Sequence, residues 1–275
     1  MNICDIMDME SKLLPQWSTI AKPVIGMLHL PPLPGSPRFS GNVPALRDRV
    51  FRDAQALVGG GVHSLMIENF GDVPFYPQSV PNCVVAHMTV IAAEVRKRFD
   101  VPLGINVLRN DGLSALAIAH AAGANFIRVN VLCGARVTDQ GVIAGIAHDL
   151  LRLRSSLQAA DIKIFADVDV KHSAPLAARP ISDEVDDTIE RGLADALVVS
   201  GAGTGKQTDL NKVKTVQSAA RDFPVFIGSG ITAESILGYE SAADGFIVGT
   251  AFKKDGIATN PVDGDRVKAL LHRLR

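Results

Sequence analysis

Two rhythms of apolar and polar positions take turns along this chain. Eight short runs, VIGMLHL (24–30), HSLMIEN (63–69), PLGINVL (102–108), FIRVNVL (126–132), KIFADVDV (163–170), ALVVSG (196–201), VFIGSG (225–230) and GFIVGT (245–250), are rich in β-branched and other apolar residues. Runs of this kind read as buried parallel strands. Between them the apolar period lengthens to that of a helix. Residues 43–60 carry Leu46, Val50, Phe51, Ala54 and Leu57 on one stripe before a glycine stop. Further helices are expected over 80–99, 111–124, 141–160, 182–194, 209–222, 232–241 and 260–275, the last with Asn260 as N-cap and Pro261 as first helical residue. Strand follows helix at the spacing of βα units with no break in composition. The pattern predicts one α/β domain over 21–275, a (β/α)8 TIM barrel of the phosphate-binding type, with residues 1–20 as an N-terminal extension carrying a short helix under the barrel.

The last three strand runs each end in glycines: SGAGTGK from Ser200, GSGIT from Gly228 and GT at Gly249 and Thr250. Bare backbone N–H groups at strand ends that open helices suit an anion. Gly203, Gly205, Lys206, Gly228, Gly230, Gly249 and Thr250 are therefore the expected phosphate ligands. The stretch GAGTGKQT (201–208) is not a Walker A loop, because Ser200 stands where that motif needs glycine and Gln207 where it needs Ser or Thr. Nor is it a GxGxxG fingerprint, since Lys206 replaces the third glycine. A doubly wound open sheet is disfavoured because the glycine loops close the chain and do not follow its first strand.

In a barrel, chemistry gathers where strands end. His29, Glu68, Asn69, Asn106, Arg109, Arg128, Asn130, Cys133, Asp167, Asp169, Lys171 and His172 all lie there. Side-chain alternation puts Asp167, Asp169 and Lys171 on one face. We expect Asp167 as acid/base, Lys171 as Schiff-base nucleophile or electrophile, Glu68 and His172 as their supporting pair, and Asn106 and Asn130 in the same catalytic set. An Arg128–Asp169–Lys171 ion-pair lattice that only fills the barrel is the structural alternative. His29, His172, Glu68 and Asp167 offer a divalent-metal alternative without any local ligand spacing behind it. No cofactor is assigned. Cys133 reads as packing rather than a nucleophile, and His63, His87, His120 and His148 as structural. The proline-rich 29–41 and the 70–80 segment read as loops covering the site.

Composition narrows the partners. The formal net charge of −1 leaves no basic footprint for nucleic acid. Cys4, Cys83 and Cys133 are an odd set without CxxC spacing, as expected for reduced thiols in a cytoplasm. The acidic N-terminus does not read as a signal peptide, and no apolar stretch reaches the length of a membrane span. The apolar helices lead us to expect a homo-oligomer.

VIGMLHLPPLPGSPRFSG, LMIENFGDVPF, LGINVLRND, FIRVNV, ADVDVKHSAPL and VSGAGTGKQT, with GSGIT behind them, resemble the BtpA/SgcQ-like family over nearly the whole chain. The resemblance implies a (β/α)8 barrel, and members either named for photosystem I biogenesis or described as enzymes of sugar or nucleoside metabolism. It carries no catalytic residues over. The Gly-Ser-Gly and Gly-Thr ends are also similar to phosphoribosylanthranilate isomerase, whose first-strand catalytic cysteine is replaced here by the Met27-Leu28-His29 stretch. The expected function is an aldolase, isomerase or lyase acting on a phosphorylated sugar or nucleoside-like metabolite. A non-catalytic photosystem I assembly factor, with peripheral membrane contact, and a metabolite-binding regulator are the alternatives.

Overall fold

Inward and outward residues alternate along all eight apolar runs, and that alternation separates the two cores. The computed structural model describes residues 13–201, 203 and 205–274; Cys4 and most of the expected N-terminal extension lie outside them. In chain order the elements are β1 (Val24–His29), α1 (Val43–Gly60), β2 (Ser64–Glu68), α2 (Asn82–Arg98), β3 (Leu103–Asn106), α3 (Gly112–Ala122), β4 (Phe126–Val129), β5 (Ala135–Thr138), β6 (Gly141–Ala144), α4 (Ala147–Ser156), β7 (Lys163–Val168), β8 (Ser173–Pro175), α5 (Ile181–Asp186), β9 (Ala196–Val199), α6 (Leu210–Ala220), β10 (Val225–Ile227), β11 (Gly245–Val248) and α7 (Gly264–Arg273). Strands β1, β2, β3, β4, β7, β9, β10 and β11 pair in parallel in that order and close β11 onto β1. This is a (β/α)8 barrel.

Outward residues such as Ile105, Ile127, Ile164, Leu197 and Val199 join the helices in one large core. Inside the barrel, Phe126, Phe165 and Phe226 form an aromatic layer with ring centroids 4.8 and 5.0 Å apart. Trp17, from a 3-10 turn at Pro15–Trp17, closes the layer from below and donates its indole N–H to Ser64 Oγ at 2.9 Å. The rings fit because two inward strand positions are glycine. A Cβ on Gly104 would overlap the Phe126 ring, and one on Gly245 the Phe226 ring.

Four departures from the expected elements have local causes. The helix expected over 141–160 is a hairpin strand followed by a shorter helix. Residues 141–145 are apolar throughout, so periodicity could not separate strand from helix. A tight turn with Gly141 at φ 99° pairs β6 with β5, and β8 extends this antiparallel sheet. The helix expected over 182–194 begins as α5 and changes to a π-helical turn over Asp187–Arg191. The one expected over 232–241 is a 3-10 segment, Ile236–Ala242. The last helix starts at Gly264 with Asp263 as N-cap, its carboxylate accepting from the Asp265 N–H at 3.0 Å; Asn260 instead donates to the Lys254 carbonyl.

Gly104→Ala forces a methyl into the Phe126 ring. Overpacking of this kind costs about 1–3 kcal/mol, so Tm should fall by roughly 2–12 °C for a chain of this size. Adding Phe126→Leu should recover part of the loss. Thermal unfolding of the single and double variants checks both outcomes.

Candidate active site

The inward positions one step above the aromatic layer are polar. Strand register makes His29 and Glu68, Glu68 and Asn106, and Asn106 and Arg128 direct neighbours across β1 to β4. A buried polar side chain needs a partner. Arg128 meets Asp167 as a fork: Nε donates to Oδ2 at 3.0 Å and Nη2 to Oδ1 at 2.7 Å. Ser200 Oγ stands 3.2 Å from both groups, and Asn130 Nδ2 donates to Asp167 Oδ2 at 2.7 Å. Burial works against the Arg128 charge, but the Asp167 carboxylate outweighs it and holds the guanidinium above its ordinary pKa.

Asp167, expected as the acid/base, has both oxygens engaged and its side chain closed to solvent, and in this arrangement it anchors Arg128. The face expected to unite Asp167, Asp169 and Lys171 does not form. Strand β7 ends at Val168, and Asp169 takes φ 49°. Asp169 turns to Arg136 of β5 and to Lys212 of α6, whose charges hold its carboxyl below the usual range against the opposing effect of burial. The Arg128–Asp169–Lys171 lattice is therefore absent.

Lys171 comes to the barrel mouth without Asp169. Together with Glu68 it lines two adjoining cavities. Burial pushes the Lys171 amine below the ordinary lysine range; Glu68 opposes this, while Arg128 and Arg109 reinforce it. His172 lines the larger cavity, and partial burial with the Lys171 and Arg109 charges lowers its pKa. Asn130 lines the same cavity. Asn106 donates Nδ2 to the Arg128 carbonyl at 3.0 Å, and its Oδ1 is buried without a partner among the described residues.

The smaller cavity, about 180 Å³, lies under the glycine loops. Gly205, Gly228, Gly230, Gly249 and Thr250 line it, together with Ser229, Thr232 and Arg266. Gly203 and Lys206 do not: Gly203 is buried beside His172, and Lys206 is exposed. Gly230 has φ 70°, and any Cβ there would run into the Lys206 carbonyl oxygen. Here the loops after β9 and β10 clasp each other, with Gly201 N–H donating to Ser229 Oγ at 2.8 Å and Thr208 Oγ1 to the Ser229 carbonyl at 2.9 Å. The segments after β10 and β11 are 3-10 turns, so loop residues, and not the end of a long helix, line the cavity there. Arg266 reaches it from α7, braced by its Nε donating to the Ala251 carbonyl at 2.9 Å. No spacing in the sequence signals that arginine.

The larger cavity, about 490 Å³, is walled by Phe70, Val73, Phe75 and Leu108, with Arg109 and Asp139 at its polar side. Its covering loops are pinned together, with Leu33 N–H donating to Asp72 Oδ1 at 2.7 Å and Gly71 N–H to the Leu30 carbonyl at 3.0 Å. His29 stacks on Phe70 at 4.4 Å, and its Nε2 lies 3.7 Å from Glu68 Oε1. Among the described residues no three His, Cys, Asp or Glu side chains come together as metal ligands would. Asp167, one of the four ligands considered, is already occupied by Arg128. Burial and Asp187 push the Cys133 thiol up, and it donates to the Asp187 carbonyl, so it is a packed group.

The BtpA family model matches residues 20–275. The chain belongs to the BtpA family. The photosystem I biogenesis protein BtpA of Synechocystis is 47% identical over 252 residues, covering 92% of this chain and 88% of that protein. An uncharacterized protein of Thermococcus kodakarensis is 46% identical over 250 residues, covering 91% and 94%. Among solved structures, N-(5'-phosphoribosyl)anthranilate isomerase from Pyrococcus furiosus superposes with a TM-score of 0.55 at 12% identity, covering 92% of this chain and 98% of that one. At that identity the likeness shows the barrel alone. Among the described residues of this BtpA-family chain, no helix is long and apolar enough to cross a membrane.

His29 supplies a test of the site's electrostatics. Burial, with the Lys253 and Lys171 charges, lowers its pKa to about 3. The unfolded chain then takes up the proton first, at the ordinary value of about 6.5. This contribution to stability is complete above pH 6.5 and is lost as pH falls towards 3, by up to about 1.4 kcal/mol per pH unit. Urea unfolding of wild type and His29→Gln from pH 7 to 4 should show the wild type losing stability more steeply. Parallel curves would exclude a buried neutral imidazole.

Proposed function

We propose that the protein is an enzyme of the aldolase, isomerase or lyase type that acts on a phosphorylated small metabolite. The observation that carries this reading is the placement of Glu68 and Lys171 at the junction of the two cavities, beside the glycine loops. Phosphate would rest on the backbone amides of Gly205, Gly230 and Gly249, with the Thr250 hydroxyl and the Arg266 guanidinium, beside Gly228, whose own N–H is donated to the Val199 carbonyl, and with Gly203 and Lys206 behind them. The reacting carbon would then lie over the floor formed by Arg128.

Lys171 has the property needed of a nucleophilic amine, since its lowered pKa raises the neutral fraction near pH 7. Its nitrogen lone pair would attack a substrate carbonyl to give a carbinolamine. Glu68 would carry the proton to the leaving hydroxyl, which departs as water and leaves an imine. His172 stands at the same cavity to move a proton on the substrate side. Asn106 and Asn130 hold Arg128 and Asp167, and so position the floor. The assembly-factor alternative rests on the name of the Synechocystis relative alone, and the phosphate of the ligand is the feature on which the two readings differ.

Thermal unfolding with inorganic phosphate and a panel of phosphorylated carbonyl sugars tests the anion site. Ligand at about 100 times its Kd should add roughly 2.7 kcal/mol, and the dephosphorylated sugars should add nothing. Arg266→Ala removes a charged partner worth about 1.5–3 kcal/mol and should weaken binding roughly ten- to hundredfold. It is a cleaner probe than a substitution at Gly230, which would break the loop clasp. A flat panel sinks the reading.

Reductive trapping with borohydride tests the amine. A bound carbonyl compound should add covalently at Lys171, with a pH midpoint below that of an ordinary lysine, and Lys171→Met should abolish the adduct. Trapping spread over surface lysines would remove Lys171 from its role.

A further inference from the structure

The two cavities differ in size and in lining, and that difference bears on the part of the substrate distant from the phosphate. The cavity under the glycine loops, about 180 Å³, has room for a phosphate and a few atoms beyond it. The second, about 490 Å³, is larger than a short sugar chain needs. One side of its wall is apolar. Sugars expose hydroxyls in all directions and call for many donors and acceptors, whereas Phe70, Val73, Phe75 and Leu108 present apolar surface. Phe70 is held by its stack on His29, which itself lines the smaller cavity, so the pair stands with one ring in each. A rigid aromatic wall favours a flat partner.

The polar side of the same chamber is unfinished. Asn130 donates its Nδ2 to Asp167, which can only accept, so its orientation is fixed and Oδ1 is left as an acceptor. That Oδ1, and Nε of Arg109, are buried and have no partner among the described residues. A buried polar group left this way is costly, so a ligand that pairs it gains affinity. One lacks a donor and the other an acceptor, the two functions that the edge of a heteroaromatic ring carries side by side. Asp139, from the tip of the β5–β6 hairpin, and His172 complete the rim.

We infer that the second chamber takes a planar heteroaromatic ring, so that the ligand is a ring-bearing phosphate monoester of the nucleoside 5'-monophosphate kind. Its phosphate lies under the glycine loops, its sugar passes Glu68 and Lys171, and its ring lies against Phe70 and Phe75. The inference rests on the phosphate site proposed above, and deepens it by naming the far end of the ligand; it does not rest on the imine step, because the closed ribose of a nucleotide offers Lys171 no free carbonyl, and an open-chain sugar phosphate remains the compound that step takes.

Isothermal titration of the full chain with inorganic phosphate, ribose 5-phosphate and the four common ribonucleoside 5'-monophosphates separates the two readings. At least one nucleotide should bind tenfold or more tightly than ribose 5-phosphate. Phe75→Ala, a half-buried loop position, should remove most of that gain and leave ribose 5-phosphate affinity unchanged. Val73→Asp, on the exposed side of the same wall, gives a second reading that does not depend on Phe75 folding normally. If ribose 5-phosphate binds and no nucleotide exceeds it, the ring inference is overturned and the phosphate site stands. If nucleotides bind more tightly but neither wall substitution alters the preference, the ring lies elsewhere and the inference is equally overturned. If nothing in the series binds, the phosphate site falls as well.

Discussion

The buried fork between Arg128 and Asp167 is the constraint on which the rest of the barrel mouth depends. It ties β4 to β7 and, through Ser200, to the end of β9. It also limits β10, because a Cβ on Gly228 would lie 3.1 Å from Arg128 Nη2 and 2.5 Å from Val198 Cγ1. Removing one partner of such a pair leaves an uncompensated buried charge, which costs about 3–5 kcal/mol, whereas the intact pair contributes little net stability. The fork is therefore better understood as a fixed floor than as a stabilising device. Its rigidity sets where the glycine loop begins and which charges Lys171 faces.

Below the floor, shape does the work that charge does above it. Three phenylalanines and Trp17 occupy the barrel interior, with Gly104 and Gly245 conceding the space, so the strands cannot slide without ring overlap. Above it, a second buried pair fixes the last loop. Lys253 donates to Asp53 of α1 at 3.0 Å, and the same carboxylate accepts from Val262 N–H at 2.9 Å. That anchor lies three residues past Thr250, and it holds the turn on which Gly249 and Thr250 face the cavity. A Cβ at Gly249 would come within 2.8 Å of His29 Cε1, so strand β1 and the last loop meet with no space to spare.

Much of this was legible from residue order alone. The eight strands follow from apolar runs bounded by glycine and proline, and the glycine loops follow from their place at the end of the chain. The polar positions at strand ends were legible because a charge inside an apolar run is conspicuous. Which of those charges meet was not. Asp167 and Asp169 are both two residues from another acid or amine on the same face, and period-two alternation cannot tell where a strand stops. The break at Val168 and the positive φ of Asp169 separate them. The β5–β6 hairpin was hidden because an all-apolar GVIAG has no period. Arg266 was hidden because only the return of α7 to the mouth brings it there.

The same separation bears on the basicity of the Lys171 amine. Had Asp169 stayed in line with Asp167 and Lys171, the amine would have gained a second carboxylate and remained firmly charged. Instead Asp169 is spent on Arg136 and Lys212, and Asp167 on Arg128. Lys171 is left with Glu68 as its principal counter-charge, against the combined effect of burial, Arg128 and Arg109. His29, neutral above about pH 3, adds no charge to this balance. The lowered basicity of Lys171 thus comes first from burial, reinforced by the Arg128 and Arg109 charges, and Glu68 and Asp167 offset it only in part.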